Sequence, residues 1–245
     1  ERHGVLRVET LIDPSADNRR TLAESFPNAR SCGRLEEAEL GSRLVIIASP
    51  PKFHASAAIH ALKSGAAVLC EKPMAASVGE AEAMIETARA TGSPLAVGLY
   101  KRFFPACESL KGLIERGPLG ALQSFSIEEG GKFGWQAASG SFFRKAETPG
   151  GVLLDIGVHV LDLLLWWLGD PETLDYEDDA LGGQEANCRL ALGYRGGARG
   201  EVRLSRDWAT RNLYTFRFER GEIRYRVNEA NRLEILADGM PARLD

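Results

Sequence analysis

Residues 44–73 read LVIIASPPKFHASAAIHALKSGAAVLCEKP, and the fold of the first half of the chain follows from them. The opening LVIIA is a continuous apolar run rich in β-branched side chains, the pattern of a strand covered on both faces. Ser49, Pro50 and Pro51 end it sharply, because proline cannot donate to a ladder. Residues 53–64 then carry helix formers and are closed by Gly65. A second buried strand at 67–70 stops at Glu71, Lys72 and Pro73. Two buried strands joined through a helix run parallel, since a crossover that long is what a parallel pair requires.

The same alternation extends in both directions. Upstream, the apolar residues 5–12 run into Asp13-Pro14, and Ser15 caps a helix that Pro27 and Asn28 stop. A weak strand at 31–33 and an acidic helix at 35–40 follow. Downstream, Ser77 with Glu80 three residues on makes a capping box that opens a helix to residue 91. Gly92 closes that helix, and residues 95–99 are the next strand. The pattern predicts a doubly wound parallel sheet over residues 1–101, with ligands outside the carboxyl ends of its strands. Polar residues collect at those ends: Asp13, Ser49, Glu71, Lys72, Tyr100, Lys101 and Arg102. An acidic residue ending the second strand of such a sheet accepts hydrogen bonds from the ribose hydroxyls of NAD and repels the 2'-phosphate of NADP. Asp13 stands in that place, or else it only opens the turn before Pro14. If residues 5–12 are the second strand, the first strand and its Gly-x-Gly-x-x-Gly phosphate turn lie before residue 1.

After residue 101 the alternation stops. A helix at 105–115 leads to a strand at 122–128 and a glycine- and aromatic-rich loop over 130–149, which reads as a lid or substrate-facing segment. Strands are predicted at 188–194, 200–206, 213–219, 222–227 and 233–237, separated by turn residues. Tyr214, Phe216 and Phe218 alternate with Thr215, Arg217 and Glu219, so one face of an open antiparallel sheet is apolar. The arginine-rich opposite face reads as a solvated surface, a subunit contact or a phosphate site.

Between the two sets of strands lies a helix at 150–168, apolar almost all round and therefore buried, that carries Asp155, His159 and Asp162 at spacings of four and three. Unpaired ionisable groups cost several kcal/mol to bury, so this stripe is either satisfied inside the core or presented to a cleft. With Lys72 across that cleft the chemistry is coherent. Hydride transfer from a carbinol carbon requires removal of the hydroxyl proton. A neutral histidine is a base for that step, Asp155 orients it, and a lysine ammonium binds the oxygen as its charge grows.

Composition narrows the class. With 245 residues, 44% hydrophobic and 26% charged, the chain has material for two modest globular domains. A net charge of −4 gives no general attraction to nucleic acid or to an anionic membrane, and the apolar runs are too short to span one. Cys32, Cys70, Cys107 and Cys188 are dispersed without metal-ligand spacing, which predicts neither zinc nor a disulfide framework and fits a reducing cytoplasm.

Glu71-Lys72-Pro73, followed about eighty residues later by Gly150-Gly151-x3-Asp155-x-Gly157-x-His159-x2-Asp162, resembles the glucose-fructose oxidoreductase / inositol dehydrogenase (Gfo/Idh/MocA) family. Ser49-Pro50-Pro51 with His54, and Arg102-Phe103 with Pro105, match the family's pattern as well. The resemblance implies a Rossmann domain (1–101) followed by an open-faced sheet domain (102–245) containing the buried helix. It further implies NAD(P)-dependent redox chemistry on sugars, sugar nucleotides or cyclitols, and homo-oligomers built through the sheet. Lys72 would touch the substrate hydroxyl, His159 would be the acid/base and Asp155 its partner. Ser49, Pro50, His54, Glu71, Lys72 and Arg102 would line the cofactor together with Asp13, while Asp162 would fix the helix. Lys101, Trp135, Arg144 and Lys145 are candidates for reading the substrate. The resemblance also implies that the chain starts after the glycine turn and stops inside the sheet domain. A non-catalytic dinucleotide or sugar sensor, or an enzyme of NAD-assisted elimination or glycoside cleavage, would use the same fold.

Overall fold

The structure is a computed structural model that describes residues 6–40, 43–134, 150–237 and 240–244. Its first half alternates β1 (Thr10–Ile12), α1 (Ala16–Ser25), β2 (Arg30–Cys32), β3 (Leu44–Ile47), α2 (His54–Lys63), β4 (Ala67–Cys70), α3 (Val78–Thr91) and β5 (Leu95–Val97). All its strand pairs are parallel, as a Rossmann-type βαβ arrangement demands. The caps that delimit the helices work as the sequence predicts. Ser15 Oγ accepts from Asn18 N at 3.3 Å and Ser77 Oγ from Glu80 N at 3.3 Å, while Glu80 reaches back to Ala76 N at 3.0 Å. Gly92, at φ 68, terminates α3 in the left-handed region.

Among the described residues the parallel strands pair as β2-β1 and β3-β4-β5. Two local expectations are corrected. β3 is not covered on both faces: Leu44 and Ile46 are 44% and 60% exposed. The expected acidic helix at 35–40 is a single 3-10 turn over Leu35–Glu37, followed by extended backbone at Ala38.

The second half is built on α4 (Pro105–Arg116), α5 (Val158–Leu168) and an eight-stranded sheet. Its strands are β6 (Leu122–Gly130), β7 (Thr173–Asp178), β8 (Asn187–Gly193), β9 (Arg199–Ser205), β10 (Leu213–Phe218), β11 (Gly221–Arg226), β12 (Leu233–Ala237) and β13 (Met240–Leu244). The spatial order is β13-β12-β11-β10-β6-β9-β8-β7. The sheet is mostly antiparallel, with one parallel pair where β9 lies against β6. Two strands were not foreseen. β7 is exposed along its whole length and carries acidic residues, and β13 contains Pro241; both are edge strands held by one neighbour.

Alternate residues of the central strands form the core with α4 and α5. Phe125 and Ile127 from β6, Val202 and Leu204 from β9, and Tyr214 and Phe216 from β10 are all buried. Trp167 anchors α5 there, donating Nε1–H to the Cys107 carbonyl at 3.1 Å and meeting Phe216 edge-on at 5.5 Å. The helix packs through Val160, Leu163, Leu164 and Trp167, while Leu165 is 46% exposed, so its apolar surface is buried on one side rather than all round. No described helix is long and apolar enough to cross a membrane.

Candidate active site

The segment leading into α5 is not α-helical. Leu153–Gly157 is a π turn, and Asp155 lies within it. A π turn widens the spacing of side chains along a helix and is common at functional sites. Its start is capped from a distant loop: Glu185 accepts from Gly151 N at 2.9 Å and Leu153 N at 3.0 Å through its carboxylate, and from Val152 N at 2.9 Å through its carbonyl. Gly151 is required for this approach, because a Cβ there would stand 2.0 Å from the Glu185 oxygen.

Lys72, just beyond β4, crosses to this turn. Its ammonium donates to Asp155 Oδ1 at 2.6 Å and to the Asp155 carbonyl at 2.9 Å, with side chains 23% and 15% exposed. The other carboxylate oxygen of Asp155 pairs with the guanidinium of Arg206, at the end of β9. Burial lowers the pKa of Lys72; Arg206 lowers it further, and Glu71 and Glu129 oppose this.

His159 is 6% exposed and meets Tyr100 edge-on at 5.1 Å. Among the described residues its buried Nδ1 has no hydrogen-bond partner. Burial first, then the charges of Lys101 and Lys72, hold its pKa down at about 4, so the imidazole is neutral at pH 7. Among the described residues no hydrogen bond joins Asp155 and His159; the carboxylate meets Lys72 and Arg206 instead. Behind the histidine, Lys101 is 5% exposed and donates to Glu129 at 2.5 Å, and the Tyr214 hydroxyl donates to the other Glu129 oxygen. The structure brings together Lys72, Asp155 and His159 on one side of this network and adds Arg206, Glu129, Tyr214 and Tyr100.

The residues expected to line a cofactor divide. Ser49, where β3 gives way to the turn, has a buried Oγ with no partner among the described residues, an orphan that suits a ligand hydroxyl or phosphate. Glu71 and Pro50 stand at the same strand ends, and Glu71 Oε2 accepts from Lys72 N at 3.3 Å. The carboxylate of Asp13 caps its own turn, accepting from Ser15 N at 2.7 Å and Asn18 Nδ2 at 3.1 Å. His54 is an internal brace. It is 1% exposed, and its two ring nitrogens lie 2.7 Å from the Ser49 carbonyl and 2.8 Å from that of Pro73, tying the two strand-end loops together. Arg102 is committed to Asp162, donating Nε–H at 2.8 Å and Nη2–H at 2.5 Å, with its guanidinium over Trp166. That fork places Asp162 in a helix-fixing contact. Trp135, Arg144 and Lys145 lie outside the described residues.

Two family profiles match this chain. One described as "Oxidoreductase family, NAD-binding Rossmann fold" covers residues 1–99, and one for the "GFO/IDH/MocA C-terminal domain" covers residues 107–227. The chain belongs to the Gfo/Idh/MocA family. Among curated relatives, D-glucoside 3-dehydrogenase of Escherichia coli is 32% identical over 171 residues, 68% of this chain and 48% of the relative. Trans-1,2-dihydrobenzene-1,2-diol dehydrogenase of Mus musculus is 30% identical over 192 residues, 75% of this chain and 55% of the relative. The matches thus span about half the length of these relatives. Among solved structures, levoglucosan dehydrogenase in complex with NADH and levoglucosan superposes with a TM-score of 0.86 at 21% identity, over 97% of this chain and 70% of the other. Aldose-aldose oxidoreductase from Caulobacter crescentus complexed with glycerol superposes with a TM-score of 0.85 at 21% identity, over 98% and 75%. These likenesses show a shared fold over nearly the whole chain.

Proposed function

We propose that the protein is an NAD(P)-dependent oxidoreductase that interconverts a secondary alcohol and a ketone on a sugar, sugar nucleotide or cyclitol. The observation that carries this reading is the Lys72 ammonium bound to Asp155 one helical turn before a buried, neutral His159. The names of the relatives, dehydrogenases of glucosides and inositol among them, support it.

A nicotinamide dinucleotide, when bound, supplies the hydride acceptor or donor. Asp13, Ser49, Pro50 and Glu71, at the carboxyl ends of the parallel strands, would hold it, and the orphaned Ser49 hydroxyl fits such a ligand. The Asp13 carboxylate favours NAD over NADP, since it repels a 2'-phosphate. The protein's own groups then divide the remaining work. Lys72 donates a hydrogen bond to the substrate oxygen and stabilises the negative charge that grows there. The neutral imidazole of His159 takes the hydroxyl proton in oxidation and returns it in reduction. Asp155 holds the ammonium in place.

The test is nicotinamide fluorescence on titrating NADH into the purified protein, followed by turnover of a panel of sugars and cyclitols by wild type and Lys72→Met. Binding with a loss of about 100-fold or more in kcat for the variant supports the reading. No NADH binding, or wild-type turnover by the variant on an accepted substrate, removes it.

The same reading assigns residues 1–101 to the cofactor domain and 102–245 to the sheet domain, and a homo-oligomer to the outer face of the large sheet. That face carries cross-strand ion pairs, Arg189 with Glu201 and Arg217 with Glu222, that suit a polar subunit contact. Light scattering that gives a monomer at micromolar concentration would count against the assembly. Four buried, unbridged thiols suit a reducing cytoplasm.

A further inference from the structure

Asp155 serves two cations at once. Lys72 holds its Oδ1 and carbonyl oxygen, and Arg206 holds its Oδ2. The Lys72, Asp155 and Arg206 side chains are 23%, 15% and 14% exposed, so water screens the set weakly. Arg206 reaches this point because residues 200, 202, 204 and 206 alternate onto the apolar face, with Val202 and Leu204 fully buried below it. Its backbone is clamped on both sides: Arg206 N donates to the Ala186 carbonyl at 2.9 Å, and Phe133 N donates to the Arg206 carbonyl at 2.9 Å. The guanidinium lies 5.9 Å from the centre of the Phe133 ring.

We propose that Arg206 is a positioning residue of the site, which fixes Asp155 by Oδ2 so that the carboxylate meets Lys72 through Oδ1 alone and the ammonium keeps capacity for a substrate oxygen. The final clause rests on the dehydrogenase reading above; the sharing of Asp155 does not. The physical reason is competition for one charge. A carboxylate with a single cationic partner closes on it with its full charge, whereas a guanidinium paired with its second oxygen draws on the same charge and weakens the hold on the other side.

The charged and titratable groups around Lys72 are Asp155 on the π turn, Arg206 at the end of β9, Glu71 beside it, Glu129 on β6, Lys101 after β5 and His159 on α5. Arg206 is the like charge that shares its counter-ion, and it acts with burial to disfavour the ammonium. Replacing it with a neutral side chain removes that repulsion and leaves Asp155 to Lys72. Both changes favour the protonated amine, so the titration midpoint of Lys72 rises.

Trace acetylation of the whole protein with acetic anhydride across a pH series, quantified at Lys72 by mass spectrometry, reads that midpoint, because only the free amine reacts. The comparison is wild type against Arg206→Met, Arg206→Gln and Arg206→Lys. The expected result is an upward shift in the Met and Gln variants and a midpoint near wild type in the Lys variant. On an accepted alcohol, kcat of the Met variant falls by about 100-fold with a smaller change in KM, as misplacement of a catalytic group predicts. The labelling uses neither cofactor nor substrate, so a failure to find turnover counts against the dehydrogenase reading and leaves the titration to decide this one. An unchanged or lowered midpoint in the neutral variants, an equal rise in Arg206→Lys, or failure of both neutral variants to fold overturns the proposal.

Discussion

At His159 the cost of burying charge decides a protonation state. Its pKa is held at about 4, first by burial and then by the two lysines, against the usual 6.5. With His159 as the base proposed above, which must be unprotonated, the acid limb of kcat/KM on an accepted substrate is expected to have its midpoint near 4 rather than near 6.5, checked by steady-state rates between pH 3.5 and 8. His159→Asn should lower kcat by about 10²- to 10⁴-fold, the usual contribution of a positioned acid/base. Behind it, Lys101→Met should act in two ways. Leaving Glu129 buried without its cation costs about 3–5 kcal/mol, read by urea unfolding. Removing a positive charge that lowers the His159 pKa should also move the acid limb upward. Lys72, Asp155 and His159 were legible in sequence because ionisable residues stand out against apolar neighbours. Arg206 and Glu129 were not, since each looks like the polar end of a strand. The signal was present in the alternation, which puts Glu129 in line with Phe125 and Ile127, and Arg206 with Val202 and Leu204.

At the scale of the element, the start of the site helix depends on a residue more than thirty positions away. Glu185→Ala removes the acceptor for Gly151 N and Leu153 N and should cost about 1 kcal/mol, the ordinary worth of a helix cap, seen as a lower thermal midpoint. Gly151→Ala should cost more, because its Cβ would displace the Glu185 backbone and with it all three capping bonds; in either variant kcat should fall as the turn bearing Asp155 loosens. Most helices and inner strands followed from periodicity and caps. The π turn did not, since nothing in the local composition of residues 153–157 separates it from an α-helix. Its backbone is bound from elsewhere in the chain: the Asp155 carbonyl accepts from Lys72, and the amides of residues 151–153 donate to Glu185. The edge strands β7 and β13 were missed for a related reason: an acidic or proline-containing segment has little strand propensity of its own and is held by its neighbour's ladder.

For the whole molecule the buried histidine ties stability to pH. Between about pH 6.5 and 4 the unfolded chain binds a proton at His159 that the folded one refuses. Its contribution is therefore fully present above pH 6.5 and is lost as pH falls through 4, a difference of about 3 kcal/mol. Urea unfolding at pH 7 and pH 4.5 should show a loss in wild type that shrinks in His159→Asn. The remaining acid sensitivity belongs to carboxylates such as Glu128, which its hydrogen bond to Arg211 holds below the usual range.

What the sequence determined by itself were features set by near neighbours along the chain: the order of strands and helices, the change of architecture near residue 100, the apolar face of the second sheet, and the family motif around Lys72 and Asp155. Only the tertiary structure decided which charges share a counter-ion. Asp155 went to Lys72 and Arg206 instead of His159, Arg102 went to Asp162, and His54 turned inward to brace two loops. The physical reason is range. Backbone periodicity is written within a few residues, whereas a buried ion is stabilised by whichever opposite charge the packed elements bring within about 4 Å, however distant it is in sequence.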